Sequence, residues 1–171
     1  MANILGYGFA VVVGHCATWL VSARLWADLT PPLEERERLR PKPYHPAIVG
    51  VIERGLYVAA IQMTAVEFIG VWLAIKVAGQ WNRWGEGLRD EDQVVVTGRE
   101  FFNIFLIGNG LSIAFALVGA KLITWLTSGS NSLAIIVPAI LVLATAAIYA
   151  LIAWAAEGRP SGARNPQVQE P

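Results

Sequence analysis

Apolar residues are concentrated in four long stretches that polar segments separate. The stretches cover about residues 4–23, 54–76, 101–126 and 133–156, and the second lies within a longer apolar region at 47–79. A helix that crosses the hydrocarbon core of a bilayer needs about 20 mostly apolar residues. Helices on the surface of a soluble domain carry instead a polar face. The pattern therefore predicts an all-α, polytopic membrane protein with four transmembrane helices in an antiparallel bundle.

The segments between the apolar stretches predict how the helices are joined. The first connection holds the charge run EERERLR between prolines, which indicates a short amphipathic helix at the membrane surface. The third is the uncharged turn TSGSNS, so the last two helices should form an antiparallel hairpin. We expect residues 1–157 to form a single transmembrane domain with both of its ends on one side of the membrane. Residues 158–171 should form a polar, flexible tail.

The composition agrees with a membrane protein and argues against several other classes. Hydrophobic residues make up 55% of the chain and charged residues 15%, against about 25% in a soluble domain. Thirteen basic residues balance thirteen acidic residues, so the net charge of zero gives no reason to expect a nucleic-acid partner. The single cysteine, Cys16, excludes an internal disulfide and a thiolate zinc cluster. We therefore predict no metal, no cofactor and no nucleic-acid partner.

Polar residues in the apolar stretches fall near the middle of the membrane when depth is counted at about 1.5 Å per residue. Glu67 matters most, because a carboxylate in hydrocarbon costs at least about 2.5 kcal/mol on insertion scales. It must therefore be protonated, paired or hydrated. We predict a proton or ion pathway centred on Glu67, with four further residues: His15, Asn109, Thr64 and Ser112. In the alternative interpretation, a protonated Glu67 bonds to Asn109 or His15 and only fixes helix packing.

A second group of polar residues is predicted at the membrane surface opposite the two ends of the predicted domain. Glu53, Arg54 and Tyr57 come early in the second apolar region, and Lys121 lies late in the third. These two ends meet at one surface of the predicted bundle. We therefore expect an interfacial charge cluster there, with an ion pair between Glu53 and Lys121.

Small residues recur every four positions on the first and third predicted helices. They are Gly6, Ala10 and Gly14 on the first helix, and Gly108, Ser112 and Ala116 on the third. Such spacing lets two helix backbones approach closely in a membrane. We expect these two helices to pack together, or one of them to pack against a second copy of the chain.

Three classes of function remain open at this point. The first is an oligomeric channel or transporter for protons or small cations, surrounded by lipid in the bacterial cytoplasmic (inner) membrane. The second is a non-catalytic accessory subunit of a larger membrane complex. The third is a bilayer-embedded enzyme that acts on a lipid or isoprenoid at the face formed by Glu53, Arg54 and Lys121. We favour the first, as a homo-oligomer or as a subunit of a membrane complex. The Lys and Arg residues divide five to six between the two predicted faces, which does not decide the orientation.

Overall fold

The structure is a computed structural model that describes residues 1–27, 44–86, 88–90, 93–96 and 98–157. Most of the predicted amphipathic segment in the first connection lies outside the described residues, and so does the predicted tail at 158–171.

Helices make up almost all of the described chain. In order, the elements are α1 (Ala2–Gly8), a π-helical segment (Phe9–Val13), α2 (Gly14–Ala27), α3 (Tyr44–Gln62), α4 (Glu67–Glu86), β1 (Leu88–Asp90), β2 (Gln93–Val96), α5 (Gly98–Ser128) and α6 (Asn131–Glu157). The first three form one continuous rod, which we call the N-terminal helix. Within the described residues, the departure from the predicted all-α fold is a short hairpin in which β1 pairs antiparallel with β2.

Three helices are long and apolar enough to cross a membrane, namely Ala2–Ala27, Gly98–Ser128 and Ser132–Ala156. They contain the first, third and fourth predicted spans, which are therefore confirmed as helices. The turn between α5 and α6 also forms where TSGSNS predicted it. Gly129 adopts the left-handed conformation with a φ of 80°. The Ser130 N–H then donates to the Trp125 carbonyl over 2.9 Å, which ends α5 in a Schellman motif.

The prediction of one continuous helix at 54–76 is wrong, because α3 ends at Gln62 and α4 begins at Glu67. Thr64 adopts a φ of 58°, in the left-handed region. The Ala65 N–H donates to the Ala60 carbonyl over 2.8 Å, and the Thr64 N–H donates to the Ile61 carbonyl over 3.2 Å. These two bonds also form a Schellman motif, with threonine at the position that glycine usually occupies.

After this break, α4 folds back along α3. The Lys76 Nζ lies 2.8 Å from the Glu53 Oε1. A continuous helix would separate these two residues by about 34 Å, since each residue adds about 1.5 Å. The second apolar region is therefore a helical hairpin whose tip is the turn at residues 63–66.

Side-chain contacts fix the direction of each helix. A Cβ on Gly6 would meet Ile123, and one on Gly14 would meet Phe115, so α5 runs antiparallel to the N-terminal helix. Arg54 bonds to Ser112, and Gln62 bonds to the Ala120 carbonyl eight residues further along both helices, so α3 runs parallel to α5. Arg24 donates to the Ala153 carbonyl over 3.4 Å, which places the end of α6 beside the end of α2.

The molecule therefore has two ends, which we name by their contents. The tip face holds the start of the N-terminal helix, the hairpin tip at 63–66 and the turn between α5 and α6. The base face holds the ends of α2, α4 and α6 and the starts of α3 and α5. Because the hairpin adds one reversal of direction, the described chain starts at the tip face and ends at the base face. The prediction that both ends of the domain share one side is wrong for this reason.

The predicted close packing of the first and third spans is confirmed. A Cβ on Gly119 would lie 2.6 Å from the Gly6 carbonyl oxygen and 2.8 Å from the Ala10 Cβ. Ala10 and Ala116 are completely buried in the apolar core that these helices share with α3. The small side chains thus let the two backbones meet in van der Waals contact.

Candidate functional site

A layer of polar side chains crosses the interior at the middle of the helices. Glu53 is the tenth of the 19 residues of α3, and Lys76 is the tenth of the 20 residues of α4. Ser112 is the fifteenth of the 31 residues of α5. His15 is the fourteenth of the 26 residues of the N-terminal helix. We call the connected group formed by Glu53, Arg54, Lys76, Asn109, Ser112, His15 and Trp72 the midplane cluster.

Glu53 and Lys76 form the ionic half of the midplane cluster. Glu53 is 3% exposed, and both of its carboxylate oxygens have a donor. Lys76 Nζ donates to Oε2 over 3.0 Å, and Trp72 Nε1 donates to Oε1 over 2.8 Å. Lys76 also donates to the Asn109 Oδ1 over 2.6 Å and lies 5.4 Å from the centre of the Phe105 ring. The lysine charge is thus satisfied by a carboxylate, an amide oxygen and an aromatic face.

Asn109 links this ion pair to the backbone of α5. Its Nδ2 donates to the Phe105 carbonyl over 2.7 Å, while its Oδ1 accepts from Lys76. The amide orientation therefore follows from the network, since only the oxygen can accept a bond from an ammonium group. Asn109 holds Lys76 against α5 and so positions the charge that pairs with Glu53.

Arg54 forms the second half of the midplane cluster and is only 2% exposed. Its Nη1 donates to the Ser112 Oγ over 2.9 Å, and its Nη2 lies 3.2 Å from the His15 Nδ1. Arginine has donors and no acceptor, so the His15 Nδ1 must accept this bond and the imidazole is neutral, with its proton on Nε2. Arg54 therefore ties α3 to α5 and to the N-terminal helix through neutral partners.

Glycines make the room that the Arg54 side chain occupies. A Cβ on Gly14 would lie 3.1 Å from the Arg54 Cδ, and one on Gly50 would lie 3.2 Å from Nη2. Gly14 directly follows the π-helical segment at Phe9–Val13. Single π turns inside α-helices occur frequently at functional sites. In this chain the π turn comes directly before the residues that contact Arg54.

The midplane cluster carries one more positive charge than negative charge. Lys76 and Arg54 are cationic, His15 is neutral, and Glu53 is the one carboxylate that the described contacts bring to them. Two buried donors of α3 also lack an acceptor among the described residues, namely the Arg54 Nε–H and the Tyr57 O–H. The Tyr57 side chain is completely buried. Buried polar groups without a partner are costly, so both need an explanation.

The predicted pathway residues divide into two groups in the structure. His15, Asn109 and Ser112 belong to the midplane cluster, as their depth predicted. Glu67 and Thr64 do not, since both are exposed at the hairpin tip. The reason is the break at 63–66. Depth was counted along a straight helix, whereas the real chain reverses there and leaves Glu67 at the tip face.

The predicted interfacial cluster is also rearranged. Glu53, Arg54 and Tyr57 are buried at the middle of the molecule and do not lie at its surface. Lys121 is exposed and takes no part in the midplane cluster, so the predicted Glu53–Lys121 ion pair is replaced by Glu53–Lys76. The enzyme hypothesis required Glu53, Arg54 and Lys121 on one lipid-facing surface, and the structure does not provide that surface.

Sequence reasoning missed Lys76 and Trp72 as members of the midplane cluster. In the predicted straight helix, Lys76 falls at the membrane surface, where a long cationic side chain can reach the headgroups. The spacing of the two residues nevertheless contained a signal. Glu53 lies as many residues before Thr64 as Lys76 lies after Ala65, so a reversal of the chain between Thr64 and Ala65 places them at the same level. The signal becomes readable only when the break between them is known.

An apolar groove of about 690 Å³ leads from the outer surface to the midplane cluster between α4 and α5. Its lining includes Leu73, Val77, Phe102 and Leu106, and Asn109 forms part of its wall. No group of three or more His, Cys, Asp or Glu side chains within the described residues is arranged to hold a metal ion. Asn109 therefore connects the midplane cluster to a groove between α4 and α5.

No protein-family model, curated protein or solved structure matches this chain. What the protein does is therefore inferred from the chemistry of the midplane cluster.

Proposed function

We propose that the protein is an integral membrane channel or transporter that moves a proton or another small ion through the midplane cluster. The observation that carries this proposal is the Glu53–Lys76 ion pair, beside the buried Arg54, at the middle of two helices that pack against the apolar helix α5. Ionisable residues at that depth are expensive. Where they occur, they face the interior and mark ion or proton pathways.

The cluster charge narrows the choice of ion. Two cationic side chains against one carboxylate repel a metal cation, so the earlier expectation of a small cation is the less favoured form of the proposal. A proton remains compatible, because the carboxylate of Glu53 can accept one, and the His15 Nδ1 can accept one when it releases Arg54. The ion pathway is therefore centred on Glu53 and His15, where the sequence had placed it on Glu67.

We further propose that the chain works as a homo-oligomer or as a subunit of a membrane complex in the bacterial cytoplasmic membrane. Only 6% of the apolar window of α6 is buried in a single copy. That surface must therefore face lipid or another protein. Either neighbour satisfies an apolar helix face in a membrane, where close packing drives helix association.

The helix directions also support a proposal for the orientation of the protein in the membrane. The described Lys and Arg residues outside the midplane cluster divide unevenly between the two faces. Lys121 lies toward the tip face, whereas four arginines belong to elements that begin or end at the base face, namely Arg24, Arg83, Arg89 and Arg99. Loops rich in Lys and Arg stay in the cytoplasm. We therefore assign the base face to the cytoplasm, a choice that the four-helix topology left undecided.

Flux measurements in proteoliposomes test the pathway. Glu53→Gln should abolish ion movement, because it removes the one carboxylate of the midplane cluster. Glu67→Gln is the matched control, since it makes the same chemical change at an exposed site and should leave flux unchanged. The double variant Glu53→Gln/Lys76→Met covers the case in which the single variant does not fold, because it keeps the net charge of the cluster. Wild-type flux of protons, potassium and chloride equal to that of empty vesicles would overturn the proposal.

A further inference from the structure

The two positive charges of the midplane cluster are matched by a single carboxylate among the described residues. Both oxygens of Glu53 are engaged by Lys76 and Trp72, so its negative charge is already balanced where it lies. Among the described residues, Arg54 donates hydrogen bonds to Ser112 and His15, which are both neutral. Glu53 is also the only buried carboxylate among the residues whose side chains the structure describes. Arg54 thus has no carboxylate in hydrogen-bond contact among these residues, and it shares the charge of Glu53 with Lys76.

Two donors mark where such an anion would bind. The Arg54 Nε–H and the Tyr57 O–H are buried and have no acceptor in the described part of the chain. The two residues are three positions apart on α3, a spacing that puts their side chains on one face of the helix. Both groups donate, and an anion is the ligand that accepts from two donors and supplies the missing charge.

We infer that the midplane cluster binds one small monovalent anion, held by the Arg54 guanidinium and the Tyr57 hydroxyl. The excess of one positive charge matches a single negative charge, and burying a multiply charged ion costs more free energy than burying a monovalent one. The proposed anion-binding site does not depend on transport. The statement that the bound anion is also the ion that moves rests on the proposed function.

Thermal unfolding in a nonionic detergent tests the binding site directly. Chloride, nitrate and acetate are compared with gluconate, a bulky anion, at constant sodium concentration. A ligand that binds only the folded protein raises its Tm in a saturable way, so at least one of the three small anions should do so. An unchanged Tm in all three, relative to gluconate, overturns the inference for the wild-type protein without any variant.

Tyr57→Phe tests the assigned donor, because it removes the hydroxyl and keeps the ring. Losing one hydrogen bond to a charged ligand should raise the anion concentration at half-effect by about tenfold or more. Tyr149→Phe is the matched control, since Tyr149 is 39% exposed on α6 and should behave like wild type. Arg54→Lys is the second variant, which keeps the charge but has no Nε–H. Wild-type anion dependence in both Tyr57→Phe and Arg54→Lys contradicts the assigned site.

Reversal potentials in proteoliposomes separate this inference from the proposed function. Current that follows a chloride gradient at symmetric potassium and pH supports both. Saturable anion binding without flux of any ion leaves the binding site in place and removes the proposed function. If only protons move and none of the three small anions changes the Tm, the anion site is contradicted and the proposed function stands.

Discussion

The two partners of the Glu53–Lys76 ion pair should differ in what their removal costs. Glu53→Gln leaves Lys76 and Arg54 as two buried cations with no carboxylate, whereas Lys76→Met leaves Glu53 beside Arg54 with no net charge. Removing one partner of a buried ion pair costs about 3–5 kcal/mol when the other charge is left uncompensated. We expect that full cost for Glu53→Gln and about 1–2 kcal/mol for Lys76→Met, because Arg54 can then compensate Glu53.

The magnitude follows from the geometry of the pair. The Lys76 Nζ lies 2.8 Å from Oε1 and 3.0 Å from Oε2 of Glu53. At about 3 Å and an effective dielectric constant of about 20, the direct attraction is about 6 kcal/mol, and desolvation offsets part of it. Lys76 is 22% exposed, so solvent reduces the remainder further. The double variant restores the wild-type net charge and should therefore cost less than the two single variants added together, with a coupling of about 1–3 kcal/mol.

Equilibrium unfolding by SDS in mixed micelles, followed by circular dichroism, measures these differences in the free energy of unfolding. Glu67→Gln serves as the control, because an exposed carboxylate at the hairpin tip should change stability by no more than about 0.5 kcal/mol. If Lys76→Met costs as much as Glu53→Gln, Arg54 does not compensate Glu53 and the charge balance assigned to the cluster is wrong. Strict additivity in the double variant would contradict a direct ion pair.

Three further predictions concern the helix break, the helix contact and the orientation. Thr64→Gly should raise the free energy of unfolding by about 0.5–1 kcal/mol, because it removes a side chain from a left-handed backbone position. The same SDS titration measures it, and a clear loss of stability would contradict the assigned turn. Gly119→Ala should lower stability by about 1–3 kcal/mol, because its Cβ would lie 2.6 Å from the Gly6 carbonyl oxygen. Gly110→Ala on the same helix has no described atom within 4 Å of its Cβ and should be neutral or stabilising. Thr64→Cys in a Cys16→Ser background should react with a membrane-impermeant maleimide from outside intact spheroplasts, and labelling only after lysis would reverse the assigned orientation.

Two helix ends show how far the sequence could predict the fold. Both use the Schellman hydrogen-bond pattern, one with Gly129 in the left-handed conformation and the other with Thr64. Glycine adopts that conformation without steric cost and stands in a polar turn, so the break after α5 was predictable. Thr64 is a β-branched residue in an apolar stretch, where neither composition nor hydropathy indicates a break. Tertiary contacts of the hairpin, which the sequence pattern does not encode locally, hold the chain in this turn.

A polar site inside the bundle was predictable from the sequence, but only some of the residues that form it were. His15, Asn109 and Ser112 lie on helices that continue without a break, so counting residues placed them at one level along the bundle. Glu53 and Lys76 lie on the two arms of the hairpin, so the same counting placed both at membrane surfaces when they lie in the middle. Because the turn at residues 63–66 was not predicted, the sequence analysis assigned the carboxylate of the site to Glu67, whereas the structure has Glu53 there.

The turn at residues 63–66 also determines how much of the chain is exposed on each side of the membrane. The described chain reverses direction at the tip face through two tight turns, at residues 63–66 and 129–130. The β1–β2 hairpin lies between α4 and α5 at the base face, where the described residues on either side of 28–43 also end. A protease added to sealed vesicles should therefore find few peptide bonds on one side and several on the other.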